Sequence, residues 1–210
     1  MNKEQALKMK EIMEDPIKWA QSFVTIFDGA KKEYTPWIGR WYQVEMLRDR
    51  SLMKVYRCGR RTGKTETMVI DGLHRANTKK HQRILYVTPY ETQVNLIFKR
   101  INEVIDSSPL IKSKVMSRTK NPYYIKFNNG SEILGFTTGA STGSGAASVR
   151  GQRADWIFMD EVDYMGTADF EAVMAIAGER NDIGVTMSST PTGARSKFWA
   201  ACTDKSLGLK

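Results

Sequence analysis

Cysteine and histidine are nearly missing from these 210 residues: there are two of each, Cys58 and Cys202, His74 and His81. Two cysteines build no disulfide framework, and without a C-x-x-C pair or a histidine cluster there is no zinc signature. Cys58, at the end of an expected strand, reads as a small buried residue rather than a reactive thiol. No apolar run approaches the roughly 18 residues of a membrane-spanning helix. Met1-Asn2-Lys3-Glu4-Gln5 carries no apolar core of a secretion signal, so an intracellular location is expected. Neither an internal repeat nor a low-complexity tail is visible, which sets aside solenoids and linkers.

What is present is ordinary in bulk and unusual in charge. Hydrophobic residues make up 41% and charged ones 26%, as in a typical soluble domain. The length suits one domain, or one with a small appendage. Lysine plus arginine exceed aspartate plus glutamate by 32 − 23, a net charge of +9. Such a surplus suits a nucleic-acid backbone or an acidic partner, and equally suits plain solubility.

The hydrophobic pattern alternates between two periods. Residues 3–27 read as one or two helices, the second beginning at Pro16, and 28–36 as a loop. A short helix is expected around Trp41 to Arg48. Met53-Lys54-Val55-Tyr56-Arg57 reads as a strand and Thr65 to Ala76 as a helix. Arg83 to Thr88, stopped by Pro89, has the apolar run of a buried parallel strand. Tyr90 to Ser107 carries helical spacing through Val94, Ile97, Ile101, Val104 and Ile105. Asn128-Asn129-Gly130 between Tyr123–Phe127 and Ser131–Phe136 signals a hairpin. Residues 137–148, rich in glycine, serine, threonine and alanine, read as a mobile loop. Trp156–Met159 and Gly184–Ser188 complete the strands, with helices over 168–180 and from Ser196. Strands alternating with helices predict an α/β fold around a mainly parallel sheet. Lys112, Lys114, Arg118 and Lys120 form a basic cluster near the hairpin, read as solvated surface in preference to a DNA track.

Three blocks carry chemistry. The first is Cys58-Gly59-Arg60-Arg61-Thr62-Gly63-Lys64-Thr65, set between strand and helix. A phosphate-binding loop needs a tight turn with converging N–H groups, a lysine, and a hydroxyl at a helix start. Gly63 admits the backbone close to phosphate, Lys64 reaches the β- and γ-phosphates, and Thr65 offers its hydroxyl to Mg²⁺. The strict pattern wants glycine where Cys58 stands, so this is a variant form. The second block is Trp156-Ile157-Phe158-Met159-Asp160-Glu161, an apolar strand ending in two carboxylates. Ligands of parallel sheets bind at strand C-termini, so Asp160 would hold the metal and Glu161 polarise the attacking water. The third is Ser188-Ser189-Thr190-Pro191, whose hydroxyls at a strand end can sense a γ-phosphate; alone it is a common turn. Upstream, Gln43 is either an adenine-edge contact or the exposed position of an amphipathic helix. Arg150, in Val149-Arg150-Gly151, and Arg60 are rivals for the arginine that stabilises a transferring phosphoryl group.

Together these blocks resemble the ATPase domain of a large terminase subunit, the DNA-packaging motor of tailed bacteriophages. The resemblance rests on Tyr42-Gln43, the arginine-rich loop at 58–65, the acidic strand at 156–161 and Ser188-Ser189-Thr190-Pro191. It implies a P-loop NTPase fold of the additional-strand type, with an N-terminal helical segment (1–40) packed on an ATPase core (41–210). It implies a Mg²⁺-dependent ATPase that moves double-stranded DNA into a procapsid, acting as a ring on the portal protein with a small terminase subunit, in the host cytoplasm during virion assembly. By the same resemblance Gln43, Arg60, Arg61, Thr62, Gly63, Lys64, Thr65 and Glu66 hold ATP. Thr65 and Asp160 serve Mg²⁺, Glu161 is the catalytic base, and Ser189 and Thr190 couple hydrolysis to motion. Arg150 matches the place of an arginine finger acting on a neighbouring subunit.

Large terminases normally continue into a nuclease domain. Here the sequence ends at Lys210, as an excised piece or as a chain whose nuclease is separate. Asp163, Asp169 and Asp182 do not replace the nuclease carboxylates, so nuclease activity is not expected of this chain. The alternatives are a fragment of a superfamily 2-type helicase, or a nucleotide-gated assembly module with little turnover of its own.

Overall fold

The computed structural model describes residues 2–139, 149 and 151–204. The loop expected at 137–148 falls largely outside them, as does Arg150.

Two helices open the chain, α1 (Lys3–Glu14) and α2 (Pro16–Phe23). Asp15 separates them because its carboxylate caps α2, accepting from the backbone N–H of Ile17 and Lys18, while Pro16 fills the first helical position, where a missing N–H costs nothing. The expected loop at 28–36 contains half of an antiparallel pair, β1 (Thr25–Asp28) with β2 (Glu33–Pro36). Phe27 faces Tyr34 across it, ring centroids 5.5 Å apart. The Asp28 carboxylate accepts from Ala30 N and Lys31 N to close the turn. Four-residue strands with exposed rings leave too short a pattern to separate from a helix end and a loop.

After α3 (Trp41–Arg48) come β3 (Met53–Arg57), α4 (Lys64–Thr78), β4 (Arg83–Thr88), α5 (Glu91–Ser107) and α6 (Pro109–Ser113). Then follow β5 (Val115–Thr119), β6 (Tyr123–Phe127), β7 (Glu132–Thr137), β8 (Trp156–Asp160), α7 (Thr167–Ala177), β9 (Gly184–Ser189) and α8 (Lys197–Thr203). The sequence reading missed α6 and β5. β5 is an edge strand with four of its five residues exposed, so it carries no apolar alternation. Its basic neighbours are partly neutralised: Arg118 pairs with Asp106 at 2.8 Å and Lys112 with the same carboxylate at 3.5 Å.

Strands of the main sheet run in the order β3-β9-β8-β4-β7-β6-β5. The first five are parallel, and β7, β6 and β5 form an antiparallel meander at one edge. β9 lies between the strand that feeds the phosphate-binding loop and the acidic strand, which is the additional-strand arrangement.

Period-two alternation divides the core. Ile84, Tyr86, Trp156 and Phe158 point to the α2, α4 and α5 side. Leu85, Val87, Ile157 and Met159 point to the α7 and α8 side. Ile17, Trp19, Ala20, Val24 and Trp37 belong to the first of these clusters, so the N-terminal helices share the core of the sheet. Gly72, in the middle of α4, is costly for a helix but necessary here. A Cβ at that position would lie 2.1 Å from the Tyr86 hydroxyl, which donates to Met68 O at 2.8 Å.

Candidate functional site

The loop 58–63 leaves the carboxyl end of β3 and delivers Lys64 to the first position of α4. Cys58 N donates to Ser189 O at 3.2 Å, which ties the loop to β9. The Cys58 side chain is half-buried, and burial pushes its thiol pKa up, as suits an inert residue. Two residues take the left-handed conformation, Arg61 at φ 61° and Gly63 at φ 84°. Gly63 is the N-cap of α4 with no side chain to cap it, so the N–H groups of the first turn stay directed at the space ahead of the helix.

The acidic strand meets this helix end. Lys64 Nζ donates to Glu161 Oε1 at 2.6 Å and lies 3.4 Å from Asp160 Oδ1. Thr65 Oγ1 donates to Asp160 Oδ2 at 2.7 Å, and Ser188 Oγ donates to Asp160 Oδ1 at 2.6 Å. Glu161 sits at φ 55°, strained for a residue with a Cβ, and that turn sends its carboxylate away from Thr65 and Ser188, the hydroxyl partners of Asp160. Its Oε2 accepts from Ser189 Oγ at 3.3 Å and Thr190 N at 3.5 Å. The two adjacent carboxylates thus share Lys64 but take different hydroxyl partners, and the Ser-Ser-Thr block contacts both.

A cavity of about 820 Å³ opens in front of them. Arg60, Arg61, Thr62, Gly63, Lys64, Thr65 and Glu66 form one wall. Glu161, Tyr164 and Thr190 form the second, and Tyr90 with Gln93, Leu96, Lys99, Arg100 and Glu103 of α5 the third. The α5 wall escaped the sequence reading. Its signal is the face opposite the apolar stripe, where Gln93, Leu96 and Arg100 recur at helical spacing. Ser188, expected among the hydroxyls of the Ser-Ser-Thr-Pro block, donates to Asp160 rather than into the cavity.

One expected nucleotide contact, Gln43, stands away from the cavity. Gln43 is buried at 4% exposure behind the loop and does not line the cavity. Its Oε1 accepts from Arg40 N at 3.0 Å, and its Nε2 donates to Gly63 O at 3.4 Å and Glu66 Oε1 at 3.2 Å. The Glu66 carboxylate also accepts from Trp37 Nε1 at 3.1 Å and lies 3.8 Å from Arg100. Gln43 therefore fastens the loop from behind, through Gly63 and through Glu66, which also lines the cavity. Neither amphipathic exposure nor an open amide edge describes Gln43 here.

A hard divalent cation suits the front of the site. Thr65 Oγ1 and Asp160 Oδ2 are oxygen donors in direct contact, next to a lysine and a free helix N-terminus that would gather phosphate oxygens. Among the described residues no group of three or more His, Cys, Asp or Glu converges, so the remaining ligands would be water and the phosphates themselves.

Solved structures with this architecture include the large terminase of bacteriophage HK97, with a TM-score of 0.77 at 13% identity over 93% of this chain. The large terminase ATPase domain of Thermus phage P74-26 follows at 0.67 and 18%, over 79% of this chain and 69% of its own. The UvsW helicase of bacteriophage T4 matches at 0.55 and 14%, over 89% of this chain and 63% of its own. At such identities the likeness is one of fold. The chain spans 41% of the HK97 protein. No curated protein matches the sequence. The model of the family described as terminase large subunit, T4likevirus-type, N-terminal, matches residues 55–206. That stretch covers the loop, the acidic strand and the Ser-Ser-Thr block, and with it the chain belongs to the terminase large subunit family.

Proposed function

We propose that this chain is the ATP-hydrolysing motor part of a large terminase, driving double-stranded DNA into a procapsid from a ring seated on the portal protein, with a small terminase subunit as partner. The observation that carries the reading is the bridge of Lys64 Nζ to Glu161 at 2.6 Å, in the wall of a cavity of about 820 Å³ at a helix N-terminus, room for a whole nucleotide. Lys64 has two competing sets of partners. Without nucleotide it neutralises Glu161. Phosphate oxygens at the head of α4 would take its protons instead, since a triphosphate offers more negative charge in the same space. Glu161 is then free to orient a water and receive its proton, while Thr65 and Asp160 hold Mg²⁺. The cation supplies charge neutralisation at the β- and γ-phosphates. Arg60, which lines the cavity, is the candidate for stabilising the transferring group within one subunit, and Arg150 the candidate for doing so across a subunit boundary.

Glu161→Ala is expected to bind ATP with nearly unchanged affinity and to lose turnover by on the order of a hundredfold or more, as for a group acting in the transition state. Phosphate release and equilibrium nucleotide binding measure the two. Unchanged turnover would remove Glu161 from the role.

The likeness to UvsW makes a helicase fragment the second reading. It is weaker, because the fold agreement is poorer than with the terminases and the family match points elsewhere. Displacement of one strand from a tailed duplex would favour it; ATP turnover stimulated by DNA and portal without strand separation favours the motor.

A further inference from the structure

One carboxylate beside the site takes no part in the chemistry described so far. Asp163 sits in the 3₁₀ turn Val162–Tyr164 that follows the acidic pair. Its Oδ2 accepts from both the backbone N–H and the hydroxyl of Thr192, each at 2.6 Å. Its Oδ1 accepts from the hydroxyl of Ser196. Its own N–H donates to Ser189 Oγ at 3.2 Å. One residue therefore grips the end of β9, the turn beyond it, and the residue ahead of α8.

Ser196 is the N-cap of α8, and its Oγ accepts from Trp199 N at 3.2 Å. α8 buries Phe198 and Ala201 and packs on the 162–164 turn and on β3, the strand that feeds the phosphate-binding loop. Burial pushes the Asp163 carboxyl up, but the hydrogen bonds from Ser196 and Thr192 outweigh it and leave the group below the usual carboxylate range. The grip is thus made of charge-assisted hydrogen bonds, the stronger kind.

Residues 189–196 are held at two ends by two acids from the same turn. Glu161 holds the near end at 3.3 and 3.5 Å, and shares its other oxygen with Lys64. Asp163 holds Thr192 at 2.6 Å and, at the far end, Ser196. Ser189, at the near end, is also held by the Asp163 N–H at 3.2 Å and by Cys58 N at 3.2 Å, so the Glu161 contact alone depends on Lys64. When Lys64 changes partner, the Glu161 contact is the one that gives, and Asp163, bound to Ser189 as well as to Thr192 and Ser196, passes the displacement to α8.

We infer that Asp163 is a positioning residue that carries the nucleotide state of the site into α8 through Thr192 and Ser196. The inference rests on the nucleotide reading of the site, and hydrogen–deuterium exchange with and without Mg²⁺ and ATP-γ-S separates the two. In the unaltered protein, nucleotide should change exchange both at 59–70 and at 197–203. Asp163→Ala should keep the first response and lose the second. Its affinity for ATP-γ-S should stay within about twofold, while ATP turnover falls about tenfold, a usual size for coupling between sites. A purely structural Asp163 would loosen α8 equally with and without nucleotide and leave the nucleotide-dependent difference intact, which overturns the inference. A response at 59–70 without one at 197–203 in the unaltered protein overturns it as well. No response at 59–70 defeats the nucleotide reading itself. Should Asp163→Ala not fold, the isosteric Asp163→Asn decides: it keeps an oxygen for Thr192 but loses the charge, and a full α8 response in that variant also overturns the inference.

Discussion

α4 carries two ionic clusters, and they behave as opposites. At its first residue, Lys64 meets Asp160 and Glu161 at the carboxyl end of β8. Two turns on, Asp71 meets Arg75 at 2.9 Å and Lys54 at 3.6 Å. The second cluster is sealed. Lys54 is 1% exposed, and its Nζ also donates to Asp49 O at 3.1 Å. The Trp156 ring stacks against the Arg75 guanidinium at 3.2 Å and lies 5.3 Å from Lys54 Nζ. Burial and the facing arginine hold the Lys54 pKa down despite Asp71. Here two cations share one anion, with an aromatic face making up part of the deficit. In the first cluster two anions share one cation, and a cavity lies open beside them. Charge composition alone does not tell a site from a structural network. What does is which end of the parallel strands the charges occupy, and whether one partner can be exchanged for something from solution.

The sharpest way to break the comparison is to remove the centre of each cluster. Lys64→Ala should lower ATP turnover about a thousandfold, the scale for losing a preorganised cation at developing charge. It should cost at most about 2 kcal/mol of stability, because Asp160 and Glu161 keep their hydroxyl donors and Glu161 faces the cavity. Asp71→Ala strands two buried cations and should cost about 3–5 kcal/mol, with the turnover of the folded fraction little changed. Thermal unfolding and phosphate release, run on both variants, should give crossed results. Equal effects on both readouts would erase the distinction.

A gentler probe uses His74, which sits beside the sealed cluster and has no counterpart near the open one. Its ring packs against Trp19 at 5.5 Å, and its Nε2 is 2.9 Å from Met13 O. Burial is the main cause of its pKa falling to about 4, with Arg50 and Arg75 adding to it and Met13 O and Asp71 opposing. The fold therefore holds the neutral ring. Its contribution is complete above the ordinary value of 6.5 and is lost as pH falls toward 4. The full loss is about 3 kcal/mol. Melting curves should show the unaltered protein losing more stability than His74→Gln between pH 7 and pH 4.5. Parallel losses would mean that the ring is charged in the fold.

The sealed cluster was also the less legible of the two. Lys64, Thr65, Asp160 and Glu161 stand in contiguous blocks whose order and strand–loop–helix context announce their chemistry. Lys54, Asp71 and Arg75 look like any surface charges, and only the packing of Trp156 from a distant strand reveals them as core. The same reason hid β5 and the β1–β2 pair, which lie at edges where exposure removes the apolar rhythm. Strands β4, β8 and β9, buried on both faces, were readable almost residue by residue. Asp163 was noticed only as a carboxylate too isolated for a nuclease site. Its partners Thr192 and Ser196 lie about thirty residues away in a turn whose composition is generic.

Gln43 gives the smallest effect and the finest test, because its two roles predict different selectivities. In the structure its amide fastens Gly63 and Glu66 from behind the loop. A tether of this kind positions phosphate-binding groups without touching a base. Gln43→Ala should then weaken ATP and GTP alike, by about fivefold, or about 1 kcal/mol, the usual worth of a buried hydrogen bond. An adenine contact would instead show as a loss confined to ATP, since the amide edge that pairs with adenine does not match guanine. Titrating both nucleotides against both proteins separates these outcomes. A loss confined to ATP would require the amide to leave Gly63 on binding, and would make the loop itself, rather than Lys64 alone, change partners between the two states.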